Sequence, residues 1–178
     1  LSSEHVVQAN WALYVENYLE GFHIPFVHPS LSAVLDFNDY TTELYSRSNL
    51  QLGIAKKDEA CFDLPAGHPD HGKKVAAYYW WVFPNLMFNY YPWGLSLNVV
   101  QPLGVASTKV SFLTFVYDES KLGSGAGTGL DQVEKEDEEV VEAVQKGIRS
   151  RSYGHGRYSV TREQGTHHFH RLIAELMG

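Results

Sequence analysis

The sequence predicts an α+β domain in which one helix leads into an antiparallel meander and a long helix follows the meander. Apolar residues recur at steps of three and four near the amino terminus and again after residue 131, which is typical of amphipathic helices. Between these segments, runs rich in Val, Tyr, Phe and Leu alternate with turns that contain Pro or Gly. The 178 residues are enough for one domain with a sizeable core.

The first predicted helix covers Gln8–Phe22 and ends just before His23. Its apolar face consists of Trp11, Tyr14, Val15, Tyr18, Leu19 and Phe22. Pro25 and Pro29 lack the N–H group that a continuing helix needs, so an irregular or broken helical turn is expected over Ile24–Ser30.

Strand-like composition marks the middle of the chain, and Pro-containing turns at 84–85, 92–94 and 102–104 separate the later segments. The predicted strand segments are Asp39–Ala55, Val75–Phe83, Leu86–Tyr91, Leu95–Val100 and Thr108–Tyr117. A connection rich in glycine and serine then leads to a helix over Asp131–Ile148, which Asp131 can cap. A last short helix is expected over His167–Leu176.

Composition excludes several classes of protein. The 14 basic and 21 acidic residues give a net charge of -7, which repels phosphate backbones and anionic lipid, so neither nucleic acid nor a membrane is an expected partner. The single cysteine, Cys61, cannot form an internal disulfide or hold an iron–sulfur cluster within this chain. A reducing, cytoplasmic location is therefore expected.

Two histidines, His23 and His28, are separated by five positions and follow Glu20. On an unbroken helix they would diverge by roughly 140°, but the break at Pro25 removes that objection to a shared metal ion. The alternative is a pair of unrelated histidines packed by a loop.

One acid of the second long helix is predicted to face inward. At about 100° per residue, Asp137 falls inside the apolar arc, whereas Glu134 and Glu136 lie at or beyond its edges. The arc is formed by Val133, Val140, Val141, Val144 and Ile148. A buried carboxylate needs a metal or a partner, which here could be Arg149, Arg151 or a tyrosine hydroxyl.

Together, His23, His28 and Asp137 are the ligand set of the facial triad in non-haem Fe(II) oxygenases, which leaves open positions for dioxygen. Glu16 and Glu20 share a helix flank with His23, so Glu20 could orient the His23 ring. Both acids could equally form a solvated acidic face. His68 and His71 lie in a run of Pro, Gly, Asp and Lys that is typical of a surface loop, and His167, His168 and His170 at the start of the last helix are at least as typical of structural contacts as of metal ligation.

Aromatic residues are concentrated in the predicted strands. They are Tyr78, Tyr79, Trp80, Trp81, Phe83, Phe88, Tyr90, Tyr91 and Trp93. Such residues could line a pocket for a ring or a quaternary ammonium group, or they could form the sheet core. Alternation along each strand allows both.

Three segments carry a family resemblance. The first contains Asn10-Trp11, Glu16-Asn17-Tyr18, Glu20-Gly21-Phe22-His23, Pro25 and His28-Pro29. The second contains Glu136-Asp137, Glu142, Val144-Gln145, Gly147, Ser152, Tyr153 and Gly156-Arg157-Tyr158-Ser159, and the third Glu163, Gly165 and Phe169-His170. These segments resemble the Rieske non-haem iron oxygenases, in the catalytic domain of the ring-hydroxylating alpha subunit. The likeness is nearer to the choline and carnitine monooxygenase branch than to the naphthalene type.

The resemblance implies that His23, His28 and Asp137 ligate Fe(II). It implies that Glu20 bridges an iron-ligating histidine to a cluster-ligating histidine of a neighbouring subunit, with Asn17 beside the site. It also implies a helix-grip (START-like) fold, in which an antiparallel sheet surrounds a cavity under the long helix. One departure is Ala12, which stands where many members have Lys.

The resemblance further implies that residues 1–178 are a single catalytic mononuclear iron domain. Because the family's amino-terminal [2Fe-2S] Rieske domain is absent from these residues, we expect the domain to be the catalytic half of a larger alpha subunit. Electrons would come from the Rieske domain of the same or a neighbouring subunit, supplied by an NAD(P)H-dependent reductase or ferredoxin, and the full-length protein would be a homotrimer. The substrates would be O2 and an aromatic or quaternary-ammonium small molecule. A metal-free helix-grip domain that binds small molecules or lipids, and a zinc hydrolase, remain alternatives.

Overall fold

The computed structural model describes all 178 residues and contains one seven-stranded antiparallel sheet with helices before and after it. The strand order is β1-β7-β6-β5-β4-β3-β2, in which strands β2 to β7 follow one another as a meander. The strands are β1 (Ser2–Val7), β2 (Thr41–Leu44), β3 (Ser48–Ile54), β4 (Val75–Val82), β5 (Leu86–Tyr91), β6 (Gly94–Gly104) and β7 (Ser107–Val116). The helices are α1 (Trp11–Tyr18), α2 (Ile24–Val27), α3 (Pro29–Val34), α4 (Leu130–Gly147) and α5 (Gln164–Met177). The predicted α+β class is confirmed.

The predicted strands are found, with two differences at their boundaries. The Asp39–Ala55 segment is a hairpin, because the chain reverses between β2 and β3, where the Tyr45 N–H donates to the Ser48 carbonyl at 2.9 Å. Strand β6 continues through Pro102, where a turn was predicted. Pro102 is tolerated because pairing with β5 ends at Val99, so its missing N–H faces no neighbour on that side.

Strand β1 was not predicted, and it pairs with β7 from Ser2 opposite Leu113 to Val7 opposite Thr108. Only Val7 of this edge strand is fully buried. A strand with one buried side chain shows no apolar alternation, so its sequence does not predict a strand.

The helices begin and end at positions that differ from the predictions. Helix α1 is shorter than Gln8–Phe22 because the Asn10 side chain caps it, accepting from the Ala12 N–H at 3.0 Å. Asp131 does not cap α4; Gly129 precedes the helix with a φ of 66°, a left-handed conformation that glycine adopts without strain. Helix α5 begins at Gln164, earlier than His167.

Helix α4 packs on α1, but its apolar face is only partly as predicted. Val141 is buried, whereas Val144 is 42% exposed. Gln145 is buried instead, because its side-chain oxygen accepts a hydrogen bond from the Asn10 backbone N–H at 2.8 Å. Gly165 of α5 lies so close to α1 that a Cβ there would be 2.4 Å from the Leu19 carbonyl oxygen. These contacts fix α1 between α4 and α5.

The core has two parts. One lies between the sheet and helices α1, α4 and α5, around Trp81 and Phe169. The other lies around Tyr79, Tyr91 and Trp93, next to the 3-10 turn Gly125–Gly127. No helix is both long and apolar enough to cross a membrane.

Candidate metal centre

The segment around α2 and the middle of α4 bring His23, His28 and Asp137 together. The Nε2 atom of His28 lies 3.0 Å from Asp137 Oδ1, and the Nε2 atom of His23 lies 3.5 Å from the same oxygen. The two Nε2 atoms are 3.1 Å apart. In the whole structure, this is the one group of three or more histidine, cysteine and acidic side chains whose ligand atoms lie within 4.8 Å of one another.

The break at Pro25 allows the two imidazoles to meet. Helix α1 ends before Glu20, and α2 is a separate four-residue turn with Pro25 in its first turn. His23 lies before this turn and His28 after it, so their ring centroids are 5.0 Å apart. A continuous helix would have separated the rings.

A second carboxylate holds each histidine at its other nitrogen. His23 Nδ1 lies 2.6 Å from Glu20 Oε1, and His28 Nδ1 lies 2.7 Å from Glu136 Oε2. Because a carboxylate only accepts, each Nδ1 carries the proton, and each Nε2 is left with a lone pair when the ring is neutral. Gln132 Nε2 donates to the other oxygen of Glu136 at 3.0 Å.

The Glu136 contact was missed from sequence, because helical phase placed this residue at the edge of the apolar arc. Glu20 was expected to reach His23, and it does. Its other oxygen also accepts from the backbone N–H groups of Phe22 and His23. Only 14% of the Glu20 side chain is exposed, so it is not part of a solvated acidic face.

Asp137 is paired within the centre and not with Arg149 or Arg151. Its Oδ1 accepts from Asn17 Nδ2 at 2.6 Å, in addition to its contacts with the two imidazoles. Burial alone would raise its pKa, but the hydrogen bonds with His23 and His28 lower the pKa of Asp137 to about 2. Conversely, burial would lower the pKa of His23, whereas Asp137 and Glu20 raise it to about 9.

This donor set fits a divalent cation. Two neutral imidazole nitrogens and a carboxylate oxygen so close together repel one another unless a proton or a cation lies among them. The raised pKa of His23 reflects that requirement for positive charge. Glu20 and Glu136 are engaged at the Nδ1 atoms, so three side chains remain as ligands, and further coordination positions would stay open.

The sequence comparison decides the family. The family model described as the ring hydroxylating alpha subunit (catalytic domain) matches residues 2–178. The chain belongs to this family. It is the catalytic domain of a Rieske-type oxygenase.

Relatives of this oxygenase domain include monooxygenases from plants and bacteria. The chloroplastic choline monooxygenase of Arabidopsis thaliana is 34% identical over 178 residues, which are 96% of this chain and 40% of the relative. The carnitine monooxygenase oxygenase subunit of Escherichia coli (strain K12) is 31% identical over 180 residues, which are 94% of this chain and 47% of the relative. The chain thus spans less than half the length of these relatives.

Solved structures show the same fold. A quaternary ammonium Rieske monooxygenase matches with a TM-score of 0.76 and 24% identity over 98% of this chain and 49% of that chain. Dicamba monooxygenase bound to dicamba matches with a TM-score of 0.60 and 16% identity, over 99% of this chain and 57% of that chain.

A cavity of about 100 Å³ adjoins the metal centre of the oxygenase domain. His23, His28 and Asp137 all line it. The rest of the lining is largely aromatic and apolar and includes Tyr14, Tyr18, Tyr40, Tyr79, Tyr91, Ile24, Leu31, Leu130 and Val133, with Glu134 among them. The predicted aromatic cluster is therefore divided: Tyr79 and Tyr91 line the cavity, whereas Trp81 and Trp93 are buried in the core.

Two histidines of the last helix make contacts away from the metal centre. His170 Nε2 lies 2.8 Å from Glu16 Oε1, and His168 Nδ1 lies 2.7 Å from Asn49 Oδ1. The Glu16 contact shows that this acid is also not simply solvated.

Proposed function

We propose that this domain holds one Fe(II) on His23, His28 and Asp137 and hydroxylates a small organic molecule with O2. The observation that carries the proposal is the convergence of three ligand atoms within 4.8 Å, with both histidines anchored at Nδ1 by carboxylates. When bound, Fe(II) would supply the open coordination positions that dioxygen activation requires, and the two electrons that hydroxylation consumes would come from NAD(P)H through the Rieske cluster.

The protein residues supply geometry and a sheltered reaction space. Glu20 and Glu136 fix the two imidazole rings, and Asn17 fixes the Asp137 carboxylate by donating to it. The tyrosine-rich cavity would place the substrate beside the ligand side chains. It would also keep bulk water away from the reacting groups, and this exclusion of water limits side reactions. We interpret the sheet, cavity and α4 as a helix-grip arrangement, with α4 carrying one ligand over the cavity.

We propose that Glu20 also takes part in electron transfer. It lines the cavity and, together with His23, a second pocket that contains the exposed Val144. We propose that this second pocket receives the [2Fe-2S] Rieske domain of a neighbouring subunit in a full-length homotrimer. Glu20 would then link His23 to a histidine that ligates the cluster, and a reductase or ferredoxin would reduce that cluster with electrons from NAD(P)H.

The relatives support this assembly and the class of reaction. The solved quaternary ammonium Rieske monooxygenase is described as revealing inter-subunit electron transfer, and the relatives are named choline, carnitine and dicamba monooxygenases. We therefore favour monooxygenation over dioxygenation for this domain. Its cytoplasmic location stays a prediction, since the plant relatives are named chloroplastic.

Anaerobic Fe(II) titration with metal analysis tests the proposal. The chain is expected to bind one Fe(II), and His23→Ala or His28→Ala should abolish stoichiometric binding while the fold is retained. His168→Ala is the matched control, because His168 bonds Asn49 and is not part of the centre. A wild-type chain that binds no iron would support a metal-free binding domain, and strong preference for zinc with hydrolytic activity would support a zinc hydrolase.

A further inference from the structure

Three polar side chains of the sheet line the cavity, whereas the metal ligands lie around α2 and on α4. They are Asn89 of β5 and Ser96 and Asn98 of β6, and only 6%, 3% and 8% of them is exposed. Their neighbours on this face of the sheet, Met87 and Val100, are fully buried and apolar. Buried polar groups are unfavourable unless they are hydrogen-bonded, so the bonds of these three side chains show what each group still lacks.

The hydrogen bonds fix the direction of both amide groups. Asn89 Nδ2 lies 3.1 Å from the Ser96 main-chain carbonyl oxygen, which can only accept, so this end of the Asn89 amide is the nitrogen. The same Nδ2 lies 3.3 Å from Asn98, so the facing atom of Asn98 is its oxygen, Oδ1. The Ser96 hydroxyl also donates to this Oδ1 at 3.4 Å, and the Tyr18 hydroxyl donates to Asn89 Oδ1 at 2.9 Å.

This network leaves one donor group unused. Asn89 bonds through both ends of its amide, whereas Asn98 bonds only through Oδ1, and its Nδ2 donates no hydrogen bond in the structure. Because Asn98 lines the cavity and its Oδ1 is turned towards Asn89 and Ser96, the two N–H groups of Nδ2 are directed to the space in which a substrate would lie. A donor in a buried position is unfavourable until an acceptor reaches it.

The cavity wall indicates which kind of acceptor fits. The 19 lining residues include no Lys and no Arg, so a carboxylate group beside Asn98 would have no basic side chain to balance its charge. An uncharged carbonyl or hydroxyl oxygen accepts a hydrogen bond from an amide without needing a counter-charge.

We propose that Asn98 is a specificity-determining residue, which donates from Nδ2 to an uncharged carbonyl or hydroxyl oxygen of the substrate and thereby orients the substrate towards the metal centre. Asn89 and Ser96 are positioning residues, because they hold Asn98 Oδ1. This rests on the proposed function, because it concerns the substrate of the same cavity. A molecule without such an oxygen leaves the Asn98 donor unpaired and is bound more weakly than its shape allows.

Nuclear magnetic resonance tests the contact in the wild-type chain without turnover. The ¹⁵N-labelled chain, loaded with diamagnetic Zn(II), is titrated with cyclopentanone and with methylenecyclopentane, which has the same shape but no oxygen. We expect cyclopentanone to move the Asn98 side-chain amide protons downfield in a saturable way, and methylenecyclopentane not to do so. The Asn85 side-chain amide is the internal control, because it donates to the Val100 carbonyl at 2.7 Å and does not line the cavity.

A variant measures the size of the effect. In Asn98→Leu, the affinity for cyclopentanone relative to methylenecyclopentane should fall by about fivefold, which corresponds to the net loss of one hydrogen bond. Asn85→Leu is the matched control and should leave this ratio unchanged. The methyl signals of the lining residues Ile24, Leu31 and Leu130 report both affinities.

No binding of cyclopentanone, an Asn98 amide signal that does not move when it binds, or an unchanged ratio in a folded Asn98→Leu variant would overturn the proposal. If Asn98→Leu does not fold, the wild-type titration decides. Metal content is measured on the same samples, so a chain that binds no metal but still shows the Asn98 shift would contradict the proposed function and not the role of Asn98.

Discussion

Two carboxyl groups on α4, three residues apart, differ sharply in their chemistry. Asp137 is surrounded by His23, His28 and Asn17, and its pKa is lowered to about 2. Glu134 lies in the adjoining cavity with tyrosines and other acids, and its pKa is raised to about 8. Burial raises the pKa of both groups, so the direction of the net shift is decided by the partners and not by depth. Asp137 has hydrogen-bond partners in the metal centre, whereas Glu134 has none in the cavity.

The comparison predicts that Asp137 and Glu134 differ in their importance for metal binding. Asp137→Asn keeps the shape of the side chain but weakens a ligand, so Fe(II) affinity should fall by more than the roughly 100-fold that loss of an outer partner costs. Glu134→Gln should leave Fe(II) affinity within about twofold, because Glu134 contacts no ligand through a hydrogen bond. Anaerobic titration of both variants measures this. Equal losses in the two variants would mean that general negative charge, and not ligation, attracts the metal.

A smaller effect is expected from the carboxylates that hold the imidazoles. Glu136→Gln and Glu20→Gln should each lower Fe(II) affinity by roughly 10- to 100-fold, because each removes the anchor of one Nδ1 atom. Competition with a chelator of known affinity measures the loss. Unchanged affinity in both variants would show that these hydrogen bonds do not orient the ligands.

The same pair of variants separates orientation from electron transfer. In the full-length protein at saturating iron, Glu20→Gln should slow reductase-driven turnover much more than Glu136→Gln does, because only Glu20 also lines the second pocket beside Val144. Single-turnover rates on samples of equal iron content provide the comparison. Equal rates would remove Glu20 from the proposed electron route.

The smallest effect concerns stability and pH. The pKa of Glu134 is 4.5 in the ordinary case and about 8 in the folded chain. At a pH between these two values, Glu134 is deprotonated in the unfolded chain and protonated in the folded one. Stability contributed by this group is therefore lost as pH rises through that interval. Glu134→Gln avoids the loss, so the metal-free variant should gain about 2 kcal/mol, or roughly 4–8 °C in Tm, at pH 8 and much less at pH 5. Thermal unfolding of wild type, Glu134→Gln and Glu139→Gln checks this, and a gain that does not depend on pH would contradict it.

Much of the centre could be predicted because its determinants are local. The proline break between His23 and His28 and the helical phase of Asp137 can both be read from short segments. The fold class followed similarly from the alternation of strand-like runs and turns.

The remaining features depend on distance between segments, which periodicity does not encode. Helical phase gives the direction of Glu136 but not the reach of its longer side chain to His28, a residue 108 positions away. The same limit applies to Val144, which lies on the predicted apolar face but is 42% exposed. The charge of the cavity depends on residues of α1, β4, β5 and α4, which lie far apart in the sequence.

The most direct test of the central claim is a crystal structure of the Fe(II)-loaded chain with anomalous scattering measured at the iron edge. We predict one anomalous peak per chain, bonded to the Nε2 atoms of His23 and His28 and to the carboxylate of Asp137, with Glu20 and Glu136 still at the Nδ1 atoms. A peak at other side chains, or no peak in a chain that contains stoichiometric iron, would contradict the assignment of the metal centre.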